Sequence, residues 1–225
     1  MKYFVRTTGE RTLDESFSQI EYTLLVDKNK EYVKFFAKSL CEIKEDCVIL
    51  EDDIVLCKEF NSKILKAVKE FPNEVINFFT WKCDKYYLTR RSNNFLLNQC
   101  TYYPKELIQN IGKEMLKVLK EFPSCATDEI ENIALQRLGL THIQYRPCLV
   151  QHLNFESMLK HNVETIRSPF FIDYLDKIKV DYKDVCAPVI NTLNKLMNEH
   201  IEEKRKEWEE NGKILCKNDT RKKTW

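Results

Sequence analysis

Short apolar runs alternate with segments of helical spacing along the first third of the chain. The runs KYFVRT, YTLLVD and CVILEDD are rich in β-branched and aromatic residues, so each predicts a buried strand. Apolar residues in segments 31–43 and 61–71 recur at helical spacing, which predicts two helices. Strands that alternate with helices indicate βαβ units, and therefore an α/β fold whose mostly parallel sheet is flanked by helices.

The remainder of the chain is less regular, and its composition changes near residue 160. The further elements that we predict are strands over 75–82 and 85–91, a helix over 105–122, a helix with Thr127 as its N-cap, and an extended segment over 141–153. Beyond His161 the chain becomes helical and highly charged, and it ends in a basic tail. We therefore expect one domain over residues 1–160 and a helical C-terminal segment over 161–225.

Composition narrows the class of protein. The 36 Lys and Arg residues nearly balance the 35 Asp and Glu residues, so the chain lacks the global positive field of a dedicated nucleic-acid binder. The nine cysteines are odd in number and form no CxxC pair, which argues against a disulfide framework and a zinc site. No apolar run has the length of a transmembrane segment and no signal peptide is recognisable, so we expect a cytoplasmic, reduced protein.

Three adjacent carboxylates, Glu51, Asp52 and Asp53, follow the third predicted strand. Buried carboxylates need a positive partner, which is a structural Arg or Lys or a metal ion, although a plain polar turn is the simplest alternative. Parallel strands bring Arg6 and Asp27 to the same sheet edge. Carboxylate oxygens suit Mg²⁺ or Mn²⁺, which typically also bind substrate phosphates. With only four glycines the chain has no phosphate-binding loop, which disfavours kinases, NTPases and dehydrogenases and points to a nucleotide-sugar enzyme.

Five landmarks stand in a characteristic order along the chain, and they are YFVRTTGER, LLVDKN, VILEDDIVL, TDEIENIAL and CLVQHLNFESML. In this order the sequence resembles glycosyltransferases of the GT-A fold, which carry an acidic DxD-type triplet after an apolar strand. The resemblance implies a GT-A-like catalytic domain over residues 1–160. It also implies a metal-dependent transferase that moves a sugar from a nucleotide diphosphate, UDP in the first place, to a hydroxyl group.

The resemblance also implies roles at the donor side. Asp53 would bind Mn²⁺ or Mg²⁺ directly, and His152 would be the second protein ligand of the metal. Apart from the resemblance, we expect Asp53 to be a surface carboxylate whose removal leaves the fold intact. The residues that would contact the nucleotide sugar are Glu51 and Asp52 at the ribose, the sugar or a metal-bound water, Asp27 near the base or ribose, and Arg6 with Thr7 in the nucleotide pocket. Structural alternatives stay open: Asp27 could cap the helix that starts near Glu31, and His152 could be a core histidine.

The resemblance further implies that Asp128 and Glu129 face the acceptor. One of them would be the general base of an inverting enzyme. Acidic residues are also favoured in a first helical turn without any catalytic role. Arg167 follows closely on the first domain and could bind a phosphate or lie on the surface of the C-terminal segment.

Other functions and two classes of acceptor stay open. A nucleotidyltransferase or phosphotransferase would use the same carboxylates and metal, whereas a binding module would use the triplet as a turn. The acceptor would be a surface saccharide or, in a phage enzyme, a hydroxymethylated DNA base contacted by basic clusters such as Arg90–Arg91, Lys204–Lys206 and Arg221–Lys223. The nearly neutral charge ranks the saccharide first.

Overall fold

A mixed sheet forms the centre of this computed structural model, which describes residues 1–80, 89–153 and 167–211. Within the described residues the sheet has seven strands in the order β2-β1-β3-β7-β5-β8-β6, and β4 pairs with β9 in a second, small sheet. The strands are β1 (Lys2–Thr7), β2 (Tyr22–Val26), β3 (Cys47–Glu51), β4 (Ile54–Leu56), β5 (Val75–Asn77), β6 (Arg90–Ser92), β7 (Cys100–Tyr103), β8 (His142–Gln144) and β9 (Val150–His152). The predicted α/β class is confirmed.

The three N-terminal strands run parallel, with β1 in the middle. Their register pairs Thr7 with Val26 and Arg6 with Glu51, so their carboxyl ends meet at one edge of the sheet. Strand β7 runs antiparallel between β3 and β5, and β5 pairs in parallel with β8. Because β7 reverses direction, its first residues lie at the same edge as the end of β3.

Helices cover both faces of the sheet. They are α1 (Tyr32–Glu42), α2 (Phe60–Glu70), α3 (Lys105–Glu121), α4 (Thr127–Arg137), α5 (Ile172–Ile178) and α6 (Ala187–Asn211). Alternate strand residues divide the core: Phe4 and Ile49 pack with α1, α3 and α4, whereas Val5 and Leu50 pack with α2, α5 and α6. This period of two follows from the opposite directions of successive side chains in a strand. None of the described helices has the combined length and apolarity needed to cross a membrane.

Some predicted boundaries differ from the observed ones. The strand predicted over 75–82 ends at Asn77, whose Oδ1 accepts a hydrogen bond from the Phe79 N–H at 2.8 Å. A local side-chain bond of this kind competes with regular strand pairing. Residues 81–88, which include most of the next predicted strand, lie outside the described residues. Thr127 is the first residue of α4 rather than its N-cap, which is Ala126.

The C-terminal helices share a core with the sheet. Residues 154–166, where we expected the domain boundary, lie outside the described residues. Beyond them, Phe170, Leu193 and Ile201 belong to the same buried cluster as Val5 and Leu50. The basic tail, residues 212–225, is also outside the described part.

Helices α1 and α3 are in close backbone contact at Gly112. A Cβ atom at this position would lie 2.7 Å from the Ala37 carbonyl oxygen and 2.8 Å from the Cys41 nitrogen. Replacing glycine with alanine within an exposed helix stabilises by about 1 kcal/mol. Here overpacking reverses the sign, and we expect Gly112→Ala to lower the free energy of unfolding by about 2 kcal/mol in urea denaturation. Asn110→Ala, at an exposed position of α3, should be neutral or stabilising. A stabilised Gly112→Ala would show that the helices do not pack this closely.

Candidate functional site

The acidic triplet lies where the large sheet meets the small one. Glu51 ends β3, Asp52 and Asp53 form a tight turn, and Ile54 begins β4. The Asp53 carbonyl accepts a hydrogen bond from the Leu153 N–H at 2.9 Å, which fixes the turn against the end of β9. Asp52 and Asp53 are only 7% and 8% exposed. The expectation that Asp53 is a surface carboxylate is therefore wrong, because strands and charged side chains enclose the turn.

Strand register brings His152 to this turn. Strands β4 and β9 pair antiparallel with His152 opposite Ile54, so the imidazole lies beside the preceding residue, Asp53. The His152 Nε2 is 3.4 Å from the Asp53 Oδ2. One ligand atom each from Glu51, Asp53 and His152 lie within 4.8 Å of one another. The structure therefore brings together both residues that we expected to bind a metal, and adds Glu51.

Two arginines supply positive charge to the triplet. Arg6 forms an ion pair with Glu51, donates to the Asn98 Oδ1 at 3.1 Å, and lies over the Phe36 ring. Arg11 donates to the Asp53 Oδ2 at 2.7 Å and to the Asp52 Oδ1 at 3.2 Å. Arg11 was missed by the sequence analysis, although it belongs to the first landmark. Its position in a loop gives no periodic signal, and the only clue was the need of the triplet for a cation.

The pKa values of the three carboxylates in the triplet are not all shifted in the same direction. Burial raises the pKa of Glu51 and that of Asp52, despite the neighbouring arginines. Burial also acts to raise the pKa of Asp53, but His152 and Arg11 more than offset this effect and hold its pKa below the usual value. Asp53 is thus the most strongly ionised acid of the three, as a metal-binding carboxylate must be.

An unsatisfied oxygen supports the metal site. The Asp53 Oδ1 is buried and has no hydrogen-bond partner among the described residues. A buried acceptor of this kind normally has a partner, since leaving it unpaired costs about 1–3 kcal/mol. Two carboxylates and one imidazole are a suitable ligand set for Mn²⁺ or Mg²⁺, with Mn²⁺ the better match to the imidazole. The residues present therefore fit a divalent cation.

The other donor-side residues surround this cluster. Thr7 donates a hydrogen bond from Oγ1 to the Asp52 carboxylate and accepts one from the Gly9 N–H at 2.9 Å, so it orients the triplet. Asp27 follows β2 at the same edge and is 4% exposed, and its Oδ2 has no partner within the described part of the chain. It does not cap α1, which begins at Tyr32 after Glu31. Since no described residue pairs with this oxygen, Asp27 can accept a hydrogen bond from a ligand N–H or O–H.

The acidic residues at the start of α4 have structural contacts. The Asp128 Oδ2 accepts from the Leu97 N–H at 3.2 Å, and the Glu129 Oε2 accepts from the Ala126 N–H at 2.9 Å. These contacts tie the loop before β7 to α4 and satisfy the first turn of the helix. The general-base role of either residue stays a prediction.

Arg167 lies against the C-terminal helix. Its Nη1 donates to the Asn198 Oδ1 of α6 at 3.1 Å. Phosphate binding by Arg167 stays a prediction, and its observed contact favours the packing role.

Glu131 is a second residue that the sequence analysis missed. It is 0% exposed and accepts hydrogen bonds from the Tyr103 Oη and, at 3.2 Å, from the Asn98 Nδ2. Because Asn98 also accepts from Arg6, the network reaches Glu51. Burial raises the pKa of Glu131 to about 7, although Tyr103, Asn98 and Arg6 act in the opposite direction. Its apolar helical neighbours gave no signal that this acid points inward.

The comparisons with known proteins do not assign this chain to a family. No family model matches the sequence, and the search of curated proteins found no significant match. The function is therefore inferred from the site itself.

The buried Glu131 predicts a specific pH dependence of stability. Burial raises its pKa from an ordinary 4.5 to about 7, so the folded protein retains this proton between those values while the unfolded chain loses it. The stabilising effect of the proton is complete below pH 4.5 and is lost as the pH rises to about 7. This loss amounts to about 3 kcal/mol.

We expect Glu131→Gln to remove this pH dependence. The difference in unfolding free energy between wild type and Glu131→Gln, measured by urea denaturation, should change in favour of the variant as the pH rises through that window. Glu70→Gln, at an exposed position of α2, should follow the wild type. Parallel profiles for wild type and Glu131→Gln would show that Glu131 does not titrate as a buried acid.

Proposed function

We propose that this chain is a metal-dependent glycosyltransferase of GT-A type that transfers a sugar from a nucleotide diphosphate, UDP in the first place, to an acceptor hydroxyl. The observation that supports it is the cluster of Glu51, Asp53 and His152, whose ligand atoms lie within 4.8 Å of one another. The cluster includes the buried Asp53 Oδ1, which has no hydrogen-bond partner among the residues that the structure describes. The cluster lies beyond the carboxyl end of β3, at the sheet edge where α/β proteins bind ligands.

The chemistry follows from the charges at the cluster. Asp53 and His152 would hold Mn²⁺ or Mg²⁺ with the support of Glu51, and a cation held there would supply positive charge to neutralise the departing nucleotide diphosphate. Among the described residues, Glu51, Asp52 and Asp53 form ion pairs with two guanidinium groups, those of Arg6 and Arg11. With His152 neutral, as a metal ligand must be, one negative charge of the triplet is left for a cation. Since the chain has only four glycines, binding of the diphosphate depends on this cation and on nearby arginines.

Residues around the cluster have complementary roles. Asp27, whose Oδ2 has no partner in the described ranges, accepts hydrogen bonds from the nucleoside. Thr7 and Arg6 orient Asp52 and Glu51, and in this proposal they also line the nucleotide pocket. Asp128 or Glu129 accepts the proton of the attacking hydroxyl if the enzyme inverts configuration.

A saccharide is the preferred acceptor over DNA. Arg91, in one of the basic clusters, is paired with Glu74 at 2.6 Å, and Lys204, in another, is paired with Asp14 at 3.3 Å. Cations that already have acidic partners contribute less to phosphate binding. The third cluster, Arg221–Lys223, lies outside the described residues.

One observation favours a different function. Arg11 already bridges Asp52 and Asp53, as it would in a purely structural charge cluster of a binding module. Such a module would gain no stability from a nucleotide and a metal, so ligand-induced stabilisation distinguishes the two functions.

Removal of the Asp53 charge tests the metal site. UDP with Mn²⁺ at a hundredfold excess over the dissociation constant should stabilise the wild type by about 2.7 kcal/mol by mass action. Asp53→Asn keeps the shape of the side chain but loses the charged ligand, and we expect it to lose this stabilisation in thermal melts. The ligand-induced shift is the relevant quantity, because a buried, paired Asp53 also contributes to stability.

The control is Asp184→Asn, at an exposed position outside the cluster, which should retain the full shift. An equal ligand-induced shift in Asp53→Asn would sink the metal site. No shift in the wild type with any nucleotide diphosphate would support the binding module.

The general base is tested by Asp128→Asn and Glu129→Gln. If one of these residues deprotonates the acceptor, its variant should lower turnover by about 10²–10⁴-fold while the affinity for UDP and Mn²⁺ is unchanged. Water can replace the unidentified acceptor hydroxyl in this reaction. UDP-sugar hydrolysis, followed by mass spectrometry, therefore provides the first assay. Near-normal turnover in both variants would show that the pair only begins α4.

A further inference from the structure

Arg11 occupies a position that a metal ion would need. Its Nη1 lies 2.7 Å from the Asp53 Oδ2, the same oxygen that lies 3.4 Å from the His152 Nε2. The guanidinium and a cation bound to Asp53 and His152 would therefore compete for one carboxylate oxygen. The neighbouring Oδ1 of Asp53 is buried and has no partner among the described residues, so the carboxylate can accept a second positive group.

The two sides of this ion pair differ in how the fold holds them. Asp52 and Asp53 belong to a tight turn between two buried strands, and the turn is fixed by the bond between the Asp53 carbonyl and Leu153. Arg11 lies in the irregular segment between β1 and the 3₁₀ helix Glu15–Gln19, just after Gly9, whose φ is +82°. If a second cation enters, the loop side chain is therefore the partner that moves.

Charge gives the direction of that movement. With Arg6 and Arg11 in place and His152 neutral, as a metal ligand must be, the triplet keeps one negative charge that these groups do not balance. A divalent cation added to them leaves one excess positive charge. Like charges a few ångströms apart repel strongly in a partly buried site. The excess is relieved if Arg11 leaves Asp53 and binds an anion that enters with the cation.

We propose that Arg11 is a built-in counter-ion of the triplet that is exchanged for the divalent cation and then binds the diphosphate of the nucleotide. The inference rests on the proposed function, since it requires that a cation binds Asp53. The Arg11 Nη1 now contacts one oxygen of each of two carboxylates. The whole guanidinium fork, once released from them, has the geometry to bind two phosphate oxygens. Arg11 thus supplies part of the phosphate binding that a glycine-rich loop supplies elsewhere.

The exchange is tested on the full chain by Mg²⁺ titration, with calorimetry and with the NMR guanidinium signals of arginine. In the wild type we expect the Arg11 signal, identified by its loss in Arg11→Lys, to lose its slow proton exchange at the same Mg²⁺ concentration at which heat is released. The signal of Arg137, which forms a two-point pair with Glu121 at 2.7 and 2.8 Å outside the site, should not change.

The variant Arg11→Met removes the competitor. It should bind Mg²⁺ about tenfold more tightly than the wild type, because one nearby positive charge is removed. At saturating Mg²⁺ it should bind UDP about tenfold more weakly, while its affinity for uridine, which has no phosphate, is unchanged. Arg137→Met is the matched control and should resemble the wild type in all three titrations.

The outcomes separate this inference from the proposed function. Mg²⁺ binding to the wild type with an unchanged Arg11 signal, or equal UDP affinity in Arg11→Met, would overturn the exchange and leave the metal site standing. If neither the wild type nor a folded Arg11→Met binds Mg²⁺, the metal site itself is wrong and both proposals fail. Should Arg11→Met not fold, the NMR titration of the wild type decides alone.

Discussion

Three adjacent carboxylates at the end of a buried strand require nearby positive charge, and the surrounding side chains are arranged to supply it. Glu51, Asp52 and Asp53 are largely removed from water, where unpaired ions would cost several kcal/mol each. Arg6 and Arg11, both in the segment around β1, supply part of this positive charge. Within the described part of the chain, and with His152 neutral, one negative charge and one unpaired Asp53 oxygen remain, and they are the basis for proposing a divalent cation.

The register of the strands fixes the positions of these charged side chains. The parallel pairing of β1 with β3 sets Arg6 opposite Glu51, and the antiparallel pairing of β4 with β9 sets His152 beside Asp53. A shift of one residue in either pairing would turn these side chains to the opposite face. Support extends to α4 through Asn98 and the fully buried Glu131. The cluster is therefore held by elements on several sides, as an oriented metal site requires.

The sequence predicted the local features of this arrangement better than the long-range ones. Strand alternation and helical spacing located β1 to β3 and α1 to α3, because burial of one face leaves a periodic pattern. The sequence analysis also identified Asp53 and His152 as candidate metal ligands, and their ligand atoms are neighbours in the structure. Arg11 and Glu131 were missed because their partners are distant in sequence, and a loop arginine and an inward acid leave no period. The contacts of Asp128 and Glu129 to backbone N–H groups show why position in a helix cannot by itself assign a base.

The most direct test of a divalent cation at this cluster is diffraction from crystals grown with Mn²⁺ and UDP. The account predicts an anomalous difference peak at the manganese wavelength between Asp53 and His152, with the diphosphate of UDP bound to it and Arg11 on the phosphate side. A structure with UDP bound elsewhere, no anomalous peak at the triplet, and Arg11 still paired with Asp52 and Asp53 would contradict it.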